Sequence, residues 1–417
     1  MNTNRDLLFL IMLTAFVFPL AVGVDSFTLQ ICGNADMDET INDQDVTYTE
    51  KIIKGEAEKT ILSDANNDGS VDEKDIDQIN KIIAGDEEFL VVREDLGDFV
   101  KIAEPVKTFV YHGHNTYVYE TLRAIQAADG IVGITDSFVT PGGSRISKAY
   151  LPELLSVTNV GSLQAINYEV INNIKPDIVL TDAREYYDPT KTPDIPVLAL
   201  DVNVTNGKEA SLRYGYIFDK VAEAEEYVNW YTDIENKITE RISKVADSEK
   251  PLMYISNYNL DKTTFQVPAK DNYRAVMVRN AGAKYIGDEM EGSGIQNVDA
   301  EWVIARNPQV IAFSVGNMIM GYDIHDTTNA TAAIDDFLQR PAFADIDSVK
   351  NNKVYLISHP YILCGGASGL IGTLYYSKWL YPDLFADVDV QEIQQEYISR
   401  FQHLDLNVKD SVSAYPQ

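Results

Sequence analysis

The sequence has few cysteines and few basic residues, and each shortage excludes a class of protein. Only two of the 417 residues are cysteines, Cys32 and Cys364, and neither belongs to a Cys-x-x-Cys pair. A disulfide framework and a structural zinc site are therefore excluded. The 34 lysines and arginines are outnumbered by 64 aspartates and glutamates, which gives a net charge of -30. Such an acidic surface repels phosphate backbones, so we expect no nucleic-acid partner.

Long apolar runs are also missing, except at the N-terminus. Arg5 precedes an apolar stretch from Leu7 to Val24, and Ala21 and Gly23 offer an A-x-G cleavage site. This pattern is typical of an export signal, so we predict a signal peptide over residues 1–24. The mature protein is then extracellular or at the cell surface, in a periplasm-like space. An uncleaved anchor is the alternative, because a stretch of this length can just span a bilayer.

The chain does contain an internal repeat with a spacing of thirty residues. Residues 34–45 recur as residues 64–75, and the Lys-Ile-Ile at 51–53 recurs at 81–83. A twelve-residue calcium loop supplies oxygen ligands from positions 1, 3, 5, 7, 9 and 12. Those positions are Asn34, Asp36, Asp38, the Thr40 carbonyl, Asn42 and Asp45 in the first loop, and Asp64, Asn66, Asp68, the Ser70 carbonyl, Asp72 and Asp75 in the second. We therefore predict two Ca²⁺ sites.

The two loops resemble a dockerin module, which we place at residues 30–88. Position 12 is Asp45 or Asp75, where the ordinary EF-hand has a longer glutamate, and no helical pattern precedes the first loop. The resemblance implies docking onto a cohesin-bearing protein. The residues after position 9 are Asp-Gln and Glu-Lys rather than the usual Ser/Thr pair, so a purely structural role is the alternative.

Position 6 distinguishes the two loops. It is Gly69 in the second loop and Glu39 in the first. A left-handed turn at this position costs a non-glycine residue about 1–2 kcal/mol. We therefore expect the first loop to bind calcium more weakly than the second.

A second repeat, with a spacing of 132 residues, divides the rest of the chain. Residues 167–180 match residues 299–312, and in each copy Asn167 or Asp299 caps a helix that ends before a proline and a buried strand. Residues 208–246 between the copies have helical spacing and one glycine, Gly215, where the helix is expected to break. The predicted fold class is α/β, with two Rossmann-like lobes joined by a long helix and preceded by a small α domain. The predicted parts are a linker (89–104), lobe one (105–206), the connecting helix (207–247), lobe two (248–405) and a tail (406–417).

The order of these elements resembles the solute-binding proteins of ABC transporters for iron chelates, haem and cobalamin, whose lobes are bridged by one long helix. The matching phrases cover roughly residues 105–400 and are Ile-Val-Gly-Ile at 131–134, Asn-Ala-Gly at 280–282, Pro-Ala-Phe at 341–343, Lys-Val-Tyr at 353–355 and Leu-Tyr-Pro at 380–382. The resemblance implies that a ligand is held between the lobes, on loops at the carboxyl ends of strands.

Histidines and tyrosines concentrate on these predicted loops. The expected ligand-binding residues are Tyr111, His112, His114, Asn115, Ser137, Phe138, Arg184, Tyr186, Tyr187, Asn257, Tyr258, Asn317, His359 and Tyr361. The histidines suit a metal, the tyrosines suit a flat macrocycle or a catecholate, and the arginine suits a ligand carboxylate. Ordinary packing and surface solvation are the alternatives for each of them.

The resemblance also implies an ABC permease as a partner, contacted through one exposed glutamate on each lobe. Glu169 matches the lobe-one position, whereas Arg279 replaces the lobe-two glutamate. We predict capture of a metal chelate of the iron-siderophore, haem or cobalamin type. A calcium-dependent cell-surface scaffold is the alternative. A chelatase-like enzyme is a lesser one, and no catalytic activity is expected because no nucleophile–base pair stands out.

Overall fold

The computed structural model describes residues 26–138, 149–258, 264–316, 318–359 and 365–416. The predicted export signal and the predicted ligand residues Asn317 and Tyr361 lie outside these ranges. Within them, no helix is both long and apolar enough to cross a membrane.

The helices and strands of the described ranges alternate along most of the chain. The helices are α1 (Asp43–Ile53), α2 (Glu73–Ala84), α3 (Thr116–Ala124), α4 (Tyr168–Ile174), α5 (Gly207–Ile217), α6 (Val221–Ile242), α7 (Tyr273–Asn280), α8 (Ala300–Arg306), α9 (Thr328–Leu338), α10 (Asp347–Lys350), α11 (Gly366–Leu380) and α12 (Val390–Glu396). The strands are β1 (Phe89–Arg93), β2 (Phe99–Ala103), β3 (Phe109–His112), β4 (Ile131–Ile134), β5 (Thr158–Asn159), β6 (Ile178–Thr181), β7 (Val197–Ala199), β8 (Leu252–Asn257), β9 (Phe265–Pro268), β10 (Lys284–Tyr285), β11 (Ile295–Val298), β12 (Val310–Val315), β13 (Val354–Ser358) and β14 (Ala414–Tyr415).

The thirty-residue repeat folds as two equivalent loop–helix units. Asn42 and Asp72 cap α1 and α2, and each forms a reciprocal capping box with the aspartate three residues later. Such a box satisfies two of the amide groups that a helix start leaves without partners. The two helices therefore begin at the same point of each repeat and pack against each other through apolar side chains of this N-terminal module.

The predicted linker at residues 89–104 is wrong, because these residues form an antiparallel hairpin of β1 and β2. Val92 of β1 bridges to Ile31, and the Cys32 amide donates to the Val91 carbonyl at 2.8 Å. On the other side, the Asp95 amide donates to the Ala199 carbonyl at 3.0 Å. The hairpin thus joins the module to lobe one through backbone hydrogen bonds.

Lobe one contains a five-stranded parallel sheet in the order β5-β4-β3-β6-β7. Every residue of β3 and β6 is buried, as expected for central strands covered on both faces by other elements. Lobe two contains a second five-stranded sheet in the order β10-β8-β12-β13-β14, parallel except for β14. The two parallel sheets confirm the predicted mixed α/β fold.

The 132-residue repeat corresponds to α4 followed by β6 and to α8 followed by β12. The Asn167 side chain accepts from the Val170 amide, and the Asp299 side chain accepts from the Trp302 amide. Both helices are seven residues long and end at a left-handed residue before the proline. The predicted caps and stops are confirmed.

The predicted long connector consists of two helices, α5 and α6. The chain turns at Asp219, which has a φ of 52°, so the break lies a few residues after Gly215. Gly215 is needed for packing, because a side chain there would collide with Ala224 at the start of α6.

The prediction that residues 406–417 form a tail is wrong. β14 pairs with β13, and Gly321 bridges to Val412. Val408 is fully buried. The C-terminal segment therefore completes the lobe-two sheet.

Candidate functional site

The carboxyl ends of the two sheets meet at the interface between the lobes. A side chain on Gly365, which follows β13, would collide with the Val202 carbonyl and the Tyr117 ring of lobe one. The ring centroids of Tyr150 and Tyr322, one from each lobe, lie 4.9 Å apart. The loops that leave both sheets therefore face a shared interface, where α/β proteins bind ligands.

His114 and Asp182 form the polar centre of the lobe-one rim. The buried Asp182 carboxylate follows β6 and accepts from the His114 ring through Nδ1 at 3.1 Å. It also accepts from the backbone amides of His114 and Asn115. Sequence analysis missed Asp182, although its place directly after a buried strand could have indicated it. The aspartate sets both the loop that carries His114 and the orientation of its ring.

The Tyr111 hydroxyl donates to Asp182 at 2.8 Å. Although burial alone would raise the pKa of Asp182, hydrogen bonds from His114 and Tyr111 hold it below its ordinary value. Burial, followed by the nearby charge of Asp182, raises the pKa of Asp201 to about 7. The pKa values of the two carboxyls are thus shifted in opposite directions, and the hydrogen bonds of Asp182 favour its negative charge beside His114.

Arg274 is the main polar feature of the lobe-two rim, and sequence analysis missed it. It lies near the start of α7 and is only 7% exposed. Its guanidinium donates to the Asn257 side chain at 2.9 Å and contacts the His359 ring. Because Asn257 ends β8 and His359 follows β13, a guanidinium is held at the carboxyl edge of the sheet. This position suits recognition of an anionic group.

Four predicted ligand residues belong to the interior of lobe one instead. His112 is fully buried, and its ring nitrogens pair with the Thr181 hydroxyl and the Leu163 carbonyl, both at 3.0 Å. Burial also lowers the pKa of His112, so its ring stays neutral. The other three are Tyr111, Phe138 and Tyr187, which are likewise buried. These four side chains pack inside lobe one, Tyr111 and His112 on a strand covered on both faces, so the described structure does not support their predicted role in ligand binding.

The remaining predicted residues are accessible to different degrees. Asn115, Ser137, Arg184, Asn257, Tyr258 and His359 are half-buried, and Tyr186 is exposed. Arg184 donates to the Tyr187 carbonyl at 2.7 Å, which keeps it against its own loop. Tyr258 packs edge-on against Phe313. On the described part of the interface, the polar side chains outnumber the accessible aromatic ones.

The predicted permease-docking positions differ between the lobes. Glu169 is exposed in the first turn of α4. Arg279, at the corresponding point of lobe two, forms an ion pair with Asp288 at 2.6 Å and donates to the Lys270 carbonyl. Lobe two therefore presents a neutralised pair at this point.

The turns of loop one in the module are held by hydrogen bonds from backbone amides to its own carboxylates. The Asp38 side chain accepts from the Thr40 amide at 2.7 Å, and Asp45 accepts from the amides of Asp36 and Asn42. Asp45 is 0% exposed. Its burial, followed by the charges of Asp36 and Asp38, raises the pKa of its carboxyl to about 6. Backbone hydrogen bonds oppose that rise only in part.

Loop two repeats this pattern but has lysines beside its carboxylates. Lys74 forms ion pairs with Asp68 at 3.5 Å and Asp72 at 3.7 Å, and Lys59 pairs with Asp64 at 3.6 Å. A bound cation would have to compete with these ammonium groups for the same carboxylate oxygens. The two loops therefore differ in charge, although their sequences match.

The expected strain at Glu39 is absent. The left-handed non-glycine residues of the loops are Met37 and Asn67, both at position 4, with φ of 63° and 57°. Gly69 has a φ of 97°, whereas Glu39 does not adopt a positive φ. The stated reason for a weaker loop one is therefore wrong.

The donor chemistry of the loops suits calcium. Within the described ranges, no group of three or more His, Cys, Asp or Glu side chains is arranged to hold a metal ion. Loop one also carries amide and backbone oxygens, on the Asn34 and Asn42 side chains and the Thr40 carbonyl. Asp36 and Asp38 each use one carboxylate oxygen for backbone amides. Calcium is a hard cation that takes six to eight oxygen ligands, so carboxylate, amide and carbonyl oxygens are the donor types it prefers.

A comparison with protein-family models matches residues 114–361 to the family described as periplasmic binding protein. The matched segment is more than half of the chain and starts downstream of loops one and two. Among curated proteins, the molybdate-binding protein MolA of Haemophilus influenzae is 22% identical over 342 residues, which cover 75% of this chain and 90% of MolA.

Solved structures of such proteins share the fold. A TroA-like periplasmic binding protein, FepB, from Veillonella parvula has a TM-score of 0.65 at 19% identity and covers 78% of this chain and 98% of its own. MolA with bound molybdate has a TM-score of 0.58 at 22% identity, covering 75% and 98%. Helicobacter pylori CeuE with bound Ni(II) has a TM-score of 0.57 at 19% identity, covering 76% and 98%.

Proposed function

The chain belongs to the periplasmic binding protein family, and from this premise we propose that it captures a metal-containing solute between its lobes and delivers it to an ABC permease. The observation that supports this most is the buried Arg274 guanidinium beside His359, on a rim that faces the same interface as His114 and Asp182. Imidazoles bind metals, and a guanidinium binds the anionic groups of a chelate or an oxyanion.

The distribution of tyrosines favours a small, charged solute over a flat macrocycle. Tyr111 and Tyr187 are buried within lobe one, where they cannot form a wall against haem or a corrinoid. The accessible polar groups suit a metal oxyanion or a compact metal chelate, such as an iron-siderophore complex. MolA, whose name states that it binds molybdate, and CeuE, solved with Ni(II), are relatives with solutes of this size.

Isothermal titration with molybdate, tungstate, Ni(II)-histidine, a ferric catecholate, haem and cobalamin tests the proposal. We expect one of the first four to bind with micromolar or tighter affinity. Arg274→Gln should weaken binding by 10-fold or more, because a charge-assisted hydrogen bond is worth about 1.5–3 kcal/mol. Arg279→Gln on the same helix is the matched control and should bind as the wild type does.

A thermal unfolding curve of each variant separates loss of the site from loss of the fold. Arg274→Lys keeps the charge without the planar guanidinium, so intermediate affinity is expected. If none of the metal solutes binds to the folded wild type, capture of a metal-containing solute is excluded.

We also propose that loops one and two each bind Ca²⁺ through the oxygen donors predicted from the repeat. The buried Asp45 carboxylate supports this, because a cation would relieve the cost of ionising it among other acidic groups. Terbium luminescence, with competition by calcium, measures the number of sites and their affinities. Terbium luminescence that stays at the wild-type level in both Asp38→Asn and Asp68→Asn would contradict the proposal.

A calcium-dependent surface scaffold is the second candidate, and the Arg279–Asp288 pair favours it. That pair removes the acidic contact expected between lobe two and a permease. Binding of a cohesin-bearing protein in calcium, together with failure to stimulate transport in membranes that contain a permease, would support the scaffold. Either role requires export, which we infer from the predicted signal at residues 1–24 and from the family.

A further inference from the structure

One face of α5 carries the contact between the N-terminal module and the lobe connector. Glu209 accepts from the Gln30 amide of the module at 3.0 Å and forms a buried ion pair with Arg213. Arg213 in turn donates to the Arg93 carbonyl in the hairpin at 2.7 Å. Tyr216 lies one turn further along the same face. The module is therefore held against the helix that joins the two lobes.

Loop one contributes directly to this contact. The Ile41 amide donates to the Tyr216 hydroxyl at 3.2 Å. Ile41 is position 8 of the loop, and its N–H belongs to the same planar peptide unit as the Thr40 carbonyl, the position-7 calcium ligand. A cation bound to this carbonyl oxygen would polarise and orient the N–H group that donates to the Tyr216 hydroxyl. Calcium and α5 thus interact with opposite edges of one peptide group.

Loop two lacks the corresponding contact. In the described part of the chain, the Ser70–Val71 peptide makes no hydrogen bond to either lobe. The two copies of the repeat therefore provide an internal comparison, with one loop joined to the connector and one separate from it.

The start of α5 lies at the interface between the lobes. Gly207, its first residue, approaches Gly366 at the start of α11 so closely that a side chain there would press on the Gly366 backbone. Gly365 beside it touches Val202 and Tyr117 of lobe one. A displacement of α5 would therefore change the contact between lobes next to the candidate solute site.

We propose that calcium at loop one regulates solute capture, through the Thr40–Ile41 peptide, Tyr216 and α5. This inference rests on the calcium binding and solute binding proposed above. Coupling between two sites is reciprocal, so calcium and solute each change the affinity of the other by the same factor. Couplings of this kind are typically about 5- to 150-fold.

Hydrogen–deuterium exchange of the full-length protein, with calcium and with EGTA, tests the coupling without needing the solute. We expect calcium to slow exchange across residues 207–217 by about 5-fold or more. Asp38→Asn in loop one should abolish this response, whereas the matched Asp68→Asn in loop two should retain it. Retention in both variants, or no slowing in a wild type that binds calcium, would overturn the inference.

Tyr216→Phe provides a second, independent test. It leaves the Ile41 amide without its acceptor, so calcium affinity at loop one should fall about 5- to 10-fold while loop two is unchanged. Tyr48→Phe is the matched control and should have no effect, because the hydroxyl of this half-buried tyrosine donates to the Glu58 carbonyl within the module and not to either loop. Equal calcium affinities for Tyr216→Phe and wild type would also overturn the inference.

Failure of the wild type to bind calcium would reject the proposed calcium sites, and the coupling with them. Calcium binding without any change in α5 rejects the coupling alone. If a metal solute binds, its affinity in calcium and in EGTA should differ by the same factor as the calcium affinity with and without solute. Equal solute affinities in the two conditions would exclude regulation of capture.

Discussion

Loops one and two have nearly the same sequence pattern and backbone path, yet their surroundings differ. Loop one contacts α5 through Ile41, which is 6% exposed, whereas the position-12 aspartates Asp45 and Asp75 are equally buried in the two loops. Loop two is more open and has Lys59 and Lys74 beside its carboxylates. The comparison shows how a duplicated unit diverges. Among the described residues, lysines form ion pairs with the carboxylates of the outer copy, loop two, and not with those of loop one at the interface.

Removing the position-12 carboxylate of either loop should have the largest effect on calcium affinity. Asp45→Ala should lower calcium affinity at loop one on the order of 100-fold, because it removes a charged, rigidly held ligand. Asp75→Ala should lower affinity only at loop two. Calorimetry should find that calcium raises the melting temperature of Asp75→Ala more than that of Asp45→Ala, because only the former keeps loop one, while the intact loop of each variant still binds calcium. Equal stabilisation of both variants would show that the loops are equivalent.

Removing a lysine should make loop two more like loop one. Lys74 is exposed and its ion pairs are solvated, so their loss should have only a small effect. Lys74→Gln should therefore tighten calcium binding at loop two by about 3- to 5-fold, as measured by terbium competition. The control is Lys51→Gln, on the exposed surface of α1, which should leave both affinities unchanged. Weaker binding by Lys74→Gln would show that this lysine does not compete with the cation.

The smallest effect is expected from pH. The melting temperature of the calcium-free protein should change with pH in a different direction from that of the calcium-loaded protein. The pKa of Asp45 is raised to about 6 in the folded chain, above its value in an unfolded chain. Its contribution to stability is therefore present at low pH and is lost as the pH rises through 6. Without calcium, we expect a melting temperature about 2–4 °C lower at pH 7.5 than at pH 5.

Calcium should reverse that trend, because it binds the ionised carboxylate. The Asp45→Asn variant serves as the control, since it cannot ionise and should lose this part of the pH dependence. A calcium-free wild type that gains stability between pH 5 and pH 7.5 would contradict the assigned burial of Asp45.

The repeats allowed the helices and the lobes to be predicted from sequence, because capping and proline stops are local. Asn167 and Asp299 each cap a helix where the pattern placed one. The hairpin at 89–103 was missed because its charged residues resemble a linker. Its strands are stable because their apolar side chains are buried against the module and lobe one.

The solute site was less predictable, because burial depends on packing across the fold. His112 was predicted to lie on the loop after the strand, but it is the last residue of β3, a strand whose side chains are all buried. Arg274 was missed because it lies on a helix and not on a loop after a strand. Only the tertiary fold brings it to Asn257 and His359.

A crystal structure of the protein with its metal solute, recorded at the absorption edge of the metal, tests the central claim most directly. We predict an anomalous peak between the lobes, with His114 on one side and the Arg274 guanidinium and His359 on the other. A metal peak at any other place on the lobes, with no density between these residues, would contradict the proposed receptor function.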